Sequence, residues 1–489
     1  MKIFGMVSII FLSPLVFAQK PTVTVGSKAF TESYILAEII SQTLEQTGEV
    51  QVVRKFGLGG TGIPYEALMK GSIDLYPEYS GTISEAILKK HSDNDLKTIQ
   101  EDLVPINLII TGSLGFNNTY ALAMNGKLAK EKNITEISDL KKFPDIHVGF
   151  SHEFMNRPDG YPGLSEKYNL KLTNIKALEH SLAYEAIERG EIDLTDAYST
   201  DAKIQRFGLR LLNDDKHFFP DYFALILARK EFATKYPRSW KALKKLEETI
   251  SEEEIQHLNG LSDLEKMEFP QIAAEFLHKR STQIIENSTL RKVWGYTKQH
   301  LALVSISLLV SILFGLPLAI LAARFRTLGR YILLTSGVIQ TIPSLALLCF
   351  LIPFFGIGTI PALVALFLYG LLPIVINTYT SLISIDSKLI ESAKALGLSS
   401  FQRLILIELP LSSPAIMAGI KTSAIINIGT ATLAALIGAG GYGTPIVTGL
   451  ALNDIPTILQ GAIPAALMSL LAYGLFEIAD RVVIPKGLR

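Results

Sequence analysis

The chain has 489 residues, of which 48% are apolar, with 46 basic and 46 acidic side chains and a mean hydropathy of +0.32. That length suggests about three domains, and the neutral balance excludes a nucleic-acid binder, which needs a basic footprint. From residue 301 onward only 10 Lys or Arg and 6 Asp or Glu occur, so the first part reads as soluble, the second as membrane, and a purely soluble enzyme is excluded.

Residues 1–18 read as a secretory signal: Lys2 is the positive region, residues 3–12 are mostly apolar, and Val16 and Ala18 are the small residues before a cut. The apolar run is too short to cross a core of about 30 Å. Residues 19–278 are therefore expected outside the cytoplasm. Strands are predicted over 22–27, 50–56, 73–76, 120–124, 147–150, 174–177, 192–196 and 224–228. Helical patterns lie between them, so the expectation is α/β with parallel sheets.

Gly57-Leu-Gly59-Gly-Thr-Gly62 fits a dinucleotide fingerprint formally. The acid it needs about 20 residues on would be Asp74 or Glu78, but both belong to a different pattern, and the segment reads as a turn. That pattern is a duplication. Tyr65-Glu-Ala-Leu-Met-Lys-Gly71-Ser-Ile-Asp74-Leu75 returns 119 positions later as Tyr184-Glu-Ala-Ile-Glu-Arg-Gly190-Glu-Ile-Asp193-Leu194. Each copy is a helix closed by Gly and followed by a strand. Each Asp is followed five residues later by a tyrosine, Tyr79 and Tyr198. Two similar units suggest two facing lobes. Ligands of open α/β sheets bind beyond the carboxyl ends of strands, which brings both tyrosines to one cleft.

His152 stands near Glu153 and Asp159, but no His-Glu-x-x-His pattern accompanies it, so neither a metal nor a cofactor is expected. No nucleophile–base arrangement is visible.

Residues 279–300 read as a linker and 301–489 as a membrane domain. Spans of about 20 residues fit 301–323, 331–354, 360–383, 414–437 and 457–478. Arg324, Arg326 and Arg330 follow the first span, Lys388, Lys394 and Arg403 the third, and Arg481, Lys486 and Arg489 the fifth. The positive-inside rule makes these loops cytoplasmic. Lys279, Arg280, Arg291, Lys292 and Lys298 precede the first span on the other side; a domain committed to export translocates largely regardless of such charge. Pro317, Pro343, Pro353, Pro361, Pro373 and Pro464 interrupt the spans, as bundles tolerate where neighbours satisfy the backbone. Cys349, the only cysteine, excludes an intrachain disulfide and reads as a small buried hydrophobe.

The cytoplasmic loop 386–410 reads Glu391-Ser-Ala393, then Gly397, then Ile407-Glu-Leu409-Pro410. A helix over 386–396 ended by Gly397, with a second from Ser400, makes a stiff knob that a motor protein can grip. It resembles the "EAA" loop of ABC importer permeases, with Ser392 in place of the usual Ala. No Gly-x-x-x-x-Gly-Lys-Ser/Thr pattern occurs, so the resemblance implies an ATPase subunit on a separate cytoplasmic chain.

Beyond this loop, nearly the whole mature chain resembles ABC importers of glycine betaine, choline and related quaternary amines, with the binding protein fused ahead of the permease. The matching stretches are Gly26-Ser-Lys-Ala-Phe-Thr-Glu32, Asp74-Leu-Tyr-Pro-Glu-Tyr-Ser-Gly-Thr82, His152-Glu-Phe-Met-Asn-Arg-Pro-Asp-Gly160, Asp196-Ala-Tyr-Ser-Thr-Asp201 and Phe218-Phe-Pro-Asp-Tyr222. In the membrane half they are Gln340-Thr-Ile-Pro-Ser-Leu345 and Gly438-Ala-Gly-Gly-Tyr-Gly443. The resemblance implies a two-lobed type II periplasmic-binding-protein fold followed by an all-α permease half of about five helices. It implies an aromatic box of Tyr79, Tyr120, Tyr198 and Tyr222 around a trimethylammonium group, with Lys28, Thr82 and Arg157 meeting a ligand carboxylate. Asn118 stands where some relatives place an acid. A coupling role falls to Glu391, Ala393, Gly397, Ile407, Leu409 and Pro410.

The expected protein is a multi-pass bacterial inner-membrane subunit, its binding domain in the periplasm or outside the cell. It would pair with a second copy, because one five-helix half cannot enclose a pathway. Glycine betaine, choline, carnitine, proline betaine and ergothioneine all carry the quaternary group, and Lys28 and Arg157 favour those with a carboxylate. A ligand-gated channel is the rival reading, but it has no use for the 386–410 motif.

Overall fold

The computed structural model describes residues 20–90, 95–277 and 289–488. The signal segment and the linker stretch 279–288 lie outside the described residues.

Among the described residues, ten strands build two sheets. They are β1 (Thr22–Gly26), β2 (Gln51–Lys55), β3 (Leu75–Tyr79), β4 (Leu108–Ile110), β5 (Tyr120–Asn125), β6 (His147–Ser151), β7 (Asn174–Leu178), β8 (Leu194–Tyr198), β9 (Leu209–Leu212) and β10 (Ala224–Arg229). The sheet orders are β2-β1-β3-β10-β4 and β7-β6-β8-β5-β9, so the two lobes share one topology. The sheets are mixed, not parallel as expected. β10 runs antiparallel to β3 and β4, and β5 antiparallel to β8 and β9. The cause is connectivity: the chain leaves the first lobe before Tyr120 and returns to it only at β10, so each sheet receives one reversed strand. β4 and β9, three and four residues long, were not expected; each lies at a sheet edge and is too short to show alternation.

The repeated Asp explains the duplication physically. Asp74 accepts from the Thr24 N–H at 2.8 Å and returns its own N–H to the Thr24 carbonyl. Asp193 does the same to His147, at 2.9 Å. Each Asp thus pins the strand beside it. The glycine before each, Gly71 at φ +69° and Gly190 at φ +72°, takes the left-handed turn that ends the helix.

Three helices matter for the site. The first, α1 (Thr31–Thr47), buries Ile35, Leu36, Ile39, Ile40 and Leu44 completely or nearly so. Each such side chain contributes about 1.5–3 kcal/mol. α2 (Gly62–Met69) and α3 (His180–Glu188) are the repeated helices. A fourth, α4 (Glu252–Asp263), belongs to the C-terminal part of the binding half. Two crossings join the lobes, tied by the bridge Asn117–Phe223 and by the Asn118 N–H donating to the Tyr222 carbonyl at 3.1 Å.

The membrane half begins with α5 (Thr289–Arg324), which extends into the stretch expected as linker. The span expected over 331–354, interrupted by Pro343, is the pair α6 (Arg326–Thr341) and α7 (Ser344–Phe355). They are bent by 102°, because Ile342, preceding Pro343, is extended at ψ 126°. α8 (Thr359–Ile383) matches expectation. After α9 (Ser387–Ala395), a helix starts at Ser400, passes a π turn at Leu404–Glu408 and continues as α10 (Leu409–Thr430). The fourth span therefore starts before 414 and stops at Thr430, with a 3₁₀ turn over Leu433–Ile437. α11 (Gly443–Ala451) and α12 (Ile455–Val483) complete the half. Four of these helices are long and apolar enough to cross a membrane, five with the bent pair. Cys349 is exposed on α7 rather than buried; an exposed apolar face is ordinary where lipid is the solvent.

Candidate ligand cage between the lobes

β3 pairs with β1 only at Leu75, and β8 with β6 only at Leu194. Beyond those points the strands diverge, and a crevice opens in each lobe at the carboxyl ends, where ligands of such sheets bind. The two crevices face each other across a cavity of about 400 Å³. Lys28, Tyr79, Thr82, Asn118, Tyr120, Arg157, Tyr198 and Tyr222 all line it, so every residue of the expected ligand set comes together.

The rings form a connected wall. Tyr120 and Tyr198 are register partners on β5 and β8, with centroids 5.2 Å apart. Tyr222 stands edge-on to Tyr120 at 5.5 Å. Phe30, which is outside the expected set, bridges Tyr198 at 5.6 Å and Tyr79 at 6.3 Å. Burial raises the pKa of all four phenols, and carboxylates near Tyr79 and Tyr222 raise theirs further, so the rings stay neutral.

The expected carboxylate receptors already have internal partners. Lys28 Nζ lies 2.5 Å from Glu78 Oε1, a fully buried pair, and 5.5 Å from the centre of the Tyr79 ring. Arg157 forks onto Asp159, through Nε at 2.8 Å and Nη2 at 2.5 Å. Asp159 also accepts from the Tyr222 hydroxyl at 2.5 Å. Arg157, on the second lobe, reaches the hydroxyls of Thr61 and Thr82 on the first at 3.5 Å. From the same segment Glu153 accepts from the Thr61 N–H at 2.8 Å. The glycine-rich turn thus receives a carboxylate from the opposite lobe.

Two further polar groups escape sequence reasoning. His180 lies with its ring 4.6 Å from Tyr198. Its Nε2 is 3.0 Å from Asp201, and its Nδ1 is 3.8 Å from Asp196, an ionic contact too long for a hydrogen bond. Burial lowers its pKa, but the two carboxylates outweigh burial and lift it to about 10. Glu32, buried at the start of α1, accepts from Tyr79 and Asn118 behind the wall. Glu32 stands inside a matched motif, but nothing in its spacing singles it out.

The cavity has a third side. Leu436, Val447, Leu450 and Ala451 of the membrane half line it as well. Ser181 Oγ donates to the Leu450 carbonyl at 2.9 Å, and Asn453 donates its side-chain N–H to Glu185, both at α3. On the other lobe, the Ile357 N–H donates to Ser72 Oγ at 3.3 Å.

The loop 386–410 forms the expected helix–turn–helix. Asp386 caps α9 through the Lys388 N–H at 2.9 Å, and Gly397 turns at φ +80°. Glu391 is exposed and Ala393 buried. Leu396 and Phe401 are 81% and 72% exposed at the tip. Ile407, Leu409 and Pro410 lie at the junction with α10, where Arg324 at the end of α5 donates to Glu408 at 2.5 Å.

Residues 21–279 match the family model described as the substrate binding domain of an ABC-type glycine betaine transport system. Residues 315–486 match the binding-protein-dependent transport system inner membrane component. An ergothioneine transport permease/ergothioneine binding protein of Helicobacter pylori (strain G27) is 35% identical over 277 residues, 56% of this chain; the aligned stretch spans 50% of that protein's length. A glycine betaine/carnitine/choline transport system permease protein of Bacillus subtilis (strain 168) is 40% identical over 193 residues, 40% of this chain and 89% of that protein. A crystal structure of a glycine betaine/carnitine/choline ABC transporter is 30% identical with a TM-score of 0.45, covering 53% of this chain and 98% of that one.

Proposed function

Since the chain belongs to the substrate-binding family of ABC-type glycine betaine transport systems, joined here to a binding-protein-dependent inner membrane component, we propose that it captures a quaternary-ammonium solute and passes it through its own permease half. The observation that carries this reading is the wall of four tyrosines and Phe30 around one cavity. A quaternary ammonium donates no strong hydrogen bond, so ring faces hold it, at about 0.5–2 kcal/mol each. Arg157 and Thr82 stand on the same cavity; with the Nε–Nη2 fork of Arg157 on Asp159, its remaining guanidinium N–H groups and the Thr82 hydroxyl are the donors left for a carboxylate. The substrate is therefore glycine betaine or a related carboxylate-bearing betaine.

Ergothioneine is a second reading. The Helicobacter relative favours it, and so do His180 and Glu153, polar groups on the cavity wall that a trimethylammonium group does not need.

Import is driven by ATP on a separate cytoplasmic subunit that grips the Leu396–Phe401 tip. Two copies of the chain form the pathway in the bacterial inner membrane, with the binding half on the outer side. Calorimetry on the full chain in detergent, against glycine betaine, choline, carnitine, proline betaine and ergothioneine, tests the ligand class. Binding of none of them refutes it; binding of choline as tightly as of glycine betaine refutes the carboxylate preference.

A further inference from the structure

Glu32 is 3% exposed, yet no Lys, Arg or His among the described residues forms an ion pair with it. Its Oε1 accepts from the Tyr79 hydroxyl at 2.6 Å and from Asn118 Nδ2 at 2.9 Å. Its Oε2 accepts from the Thr200 hydroxyl at 2.6 Å and from Asn259 Nδ2 at 3.0 Å. Burial raises the pKa of Glu32 and the hydrogen bonds from Thr200, Tyr79 and Asn259 oppose that rise; the four donors fill the acceptor positions of an ionised carboxylate. All four are neutral. The buried charges around it differ in this respect: Lys28 is matched by Glu78, Arg157 by Asp159 and His180 by Asp201. Glu153 and Glu179, which line the cage without a cationic partner among the described residues, are half-buried and accept from the backbone N–H of Thr61 and of Ser181.

Two of the four donors line the cavity. The amide nitrogen of Asn118 is committed to Glu32, so its oxygen is the end left over, buried and without a hydrogen-bond partner among the described residues. The Tyr79 hydroxyl donates a hydrogen bond to the same carboxylate oxygen, which makes its ring more electron-rich and its face a better seat for a cation. The carboxylate itself acts on a cation through the wall, where little water screens it.

We propose that Glu32 is the countercharge of the cage: a positioning residue that orients Tyr79 and Asn118 and supplies, from one layer behind, the negative charge that position 118 lacks. The proposal deepens the quaternary-ammonium reading and rests on it.

The test uses the full chain in detergent and a pair of probes with one shape. Glycine betaine has a trimethylammonium head; 3,3-dimethylbutyrate has a tert-butyl head and no positive charge. In Glu32→Gln, glycine betaine is expected to weaken at least about tenfold, the scale of one charge acting through an effective dielectric constant of about 20. The neutral-headed probe is expected to change less than about threefold, and Glu32→Asp to restore most of the preference. Equal losses for both probes would mean that Glu32 only holds geometry and would overturn the countercharge; an unchanged preference overturns it too. Glu45→Gln, which removes an exposed carboxylate of α1 outside the cavity, is the control, expected to leave the preference between the probes in place. If Glu32→Gln does not unfold cooperatively, Tyr79→Phe replaces it. That variant cuts the link between carboxylate and ring, and a preference equal to the wild type's overturns the proposal. A wild-type chain that binds glycine betaine in preference to the neutral probe, with Glu32→Gln doing the same, removes this inference alone. A wild-type chain that binds neither glycine betaine nor ergothioneine removes the ligand class and this inference with it.

Discussion

Tyr198 touches three other rings, those of Tyr120, Phe30 and His180. Tyr198→Ala is expected to weaken glycine betaine binding by about 1 kcal/mol or more, one strong cation–π contact, measured by calorimetry. Unchanged affinity refutes the cage. His180 makes a separate prediction through its raised pKa of about 10. A group whose folded pKa exceeds its unfolded one stabilises fully below the unfolded value and loses that contribution as pH rises to the folded one. The thermal stability advantage of the wild type over His180→Gln should be constant below about pH 6.5 and shrink toward pH 10. An advantage that grows over that range contradicts a charged His180. At this scale the sequence is partly readable. The tyrosines declare themselves by repetition and motif, because strand ends repeat when domains do. Phe30 and Glu32 lie in a matched stretch whose spacing does not single them out, and His180 lies in none, because their importance lies in contacts between segments distant along the chain.

The repeated element is a helix, a left-handed glycine and an aspartate that clasps the neighbouring strand. Removing the clasp leaves one strand-end N–H without its partner. Asp193→Ala is expected to cost about 1 kcal/mol of stability, read from a denaturant midpoint at constant slope. The strands themselves are legible from composition, but their direction is not. Nothing local to β10 or β5 reveals that the chain has just changed lobes. The bent pair α6–α7 teaches the same lesson at the membrane: hydropathy marks one apolar run, and one X-Pro step breaks it. The α9 knob is legible because capping and glycine chemistry are local. Glu391→Lys should abolish uptake into proteoliposomes supplied with the ATPase subunit while leaving binding intact. Normal uptake in that variant would detach the loop from coupling.

For the whole molecule, the arrangement that no motif announces is the contact between the halves. α3 of the second lobe meets α11 of the membrane half through Ser181 and Glu185, and the first lobe rests on the residues after α7 through Ser72. Leu450 is part of both that contact and the cavity. Leu450→Arg should therefore weaken glycine betaine binding by the full chain by about tenfold or more, since it sets a second positive charge beside the ligand's own. Calorimetry showing wild-type affinity would separate the cavity from the membrane half.

That shared wall ties two properties that are easily imagined as independent. The side chains of α11 belong at once to the wall of the cavity and to the membrane half. A change there that admits a bulkier solute alters the cavity and its contact with the membrane half in one stroke.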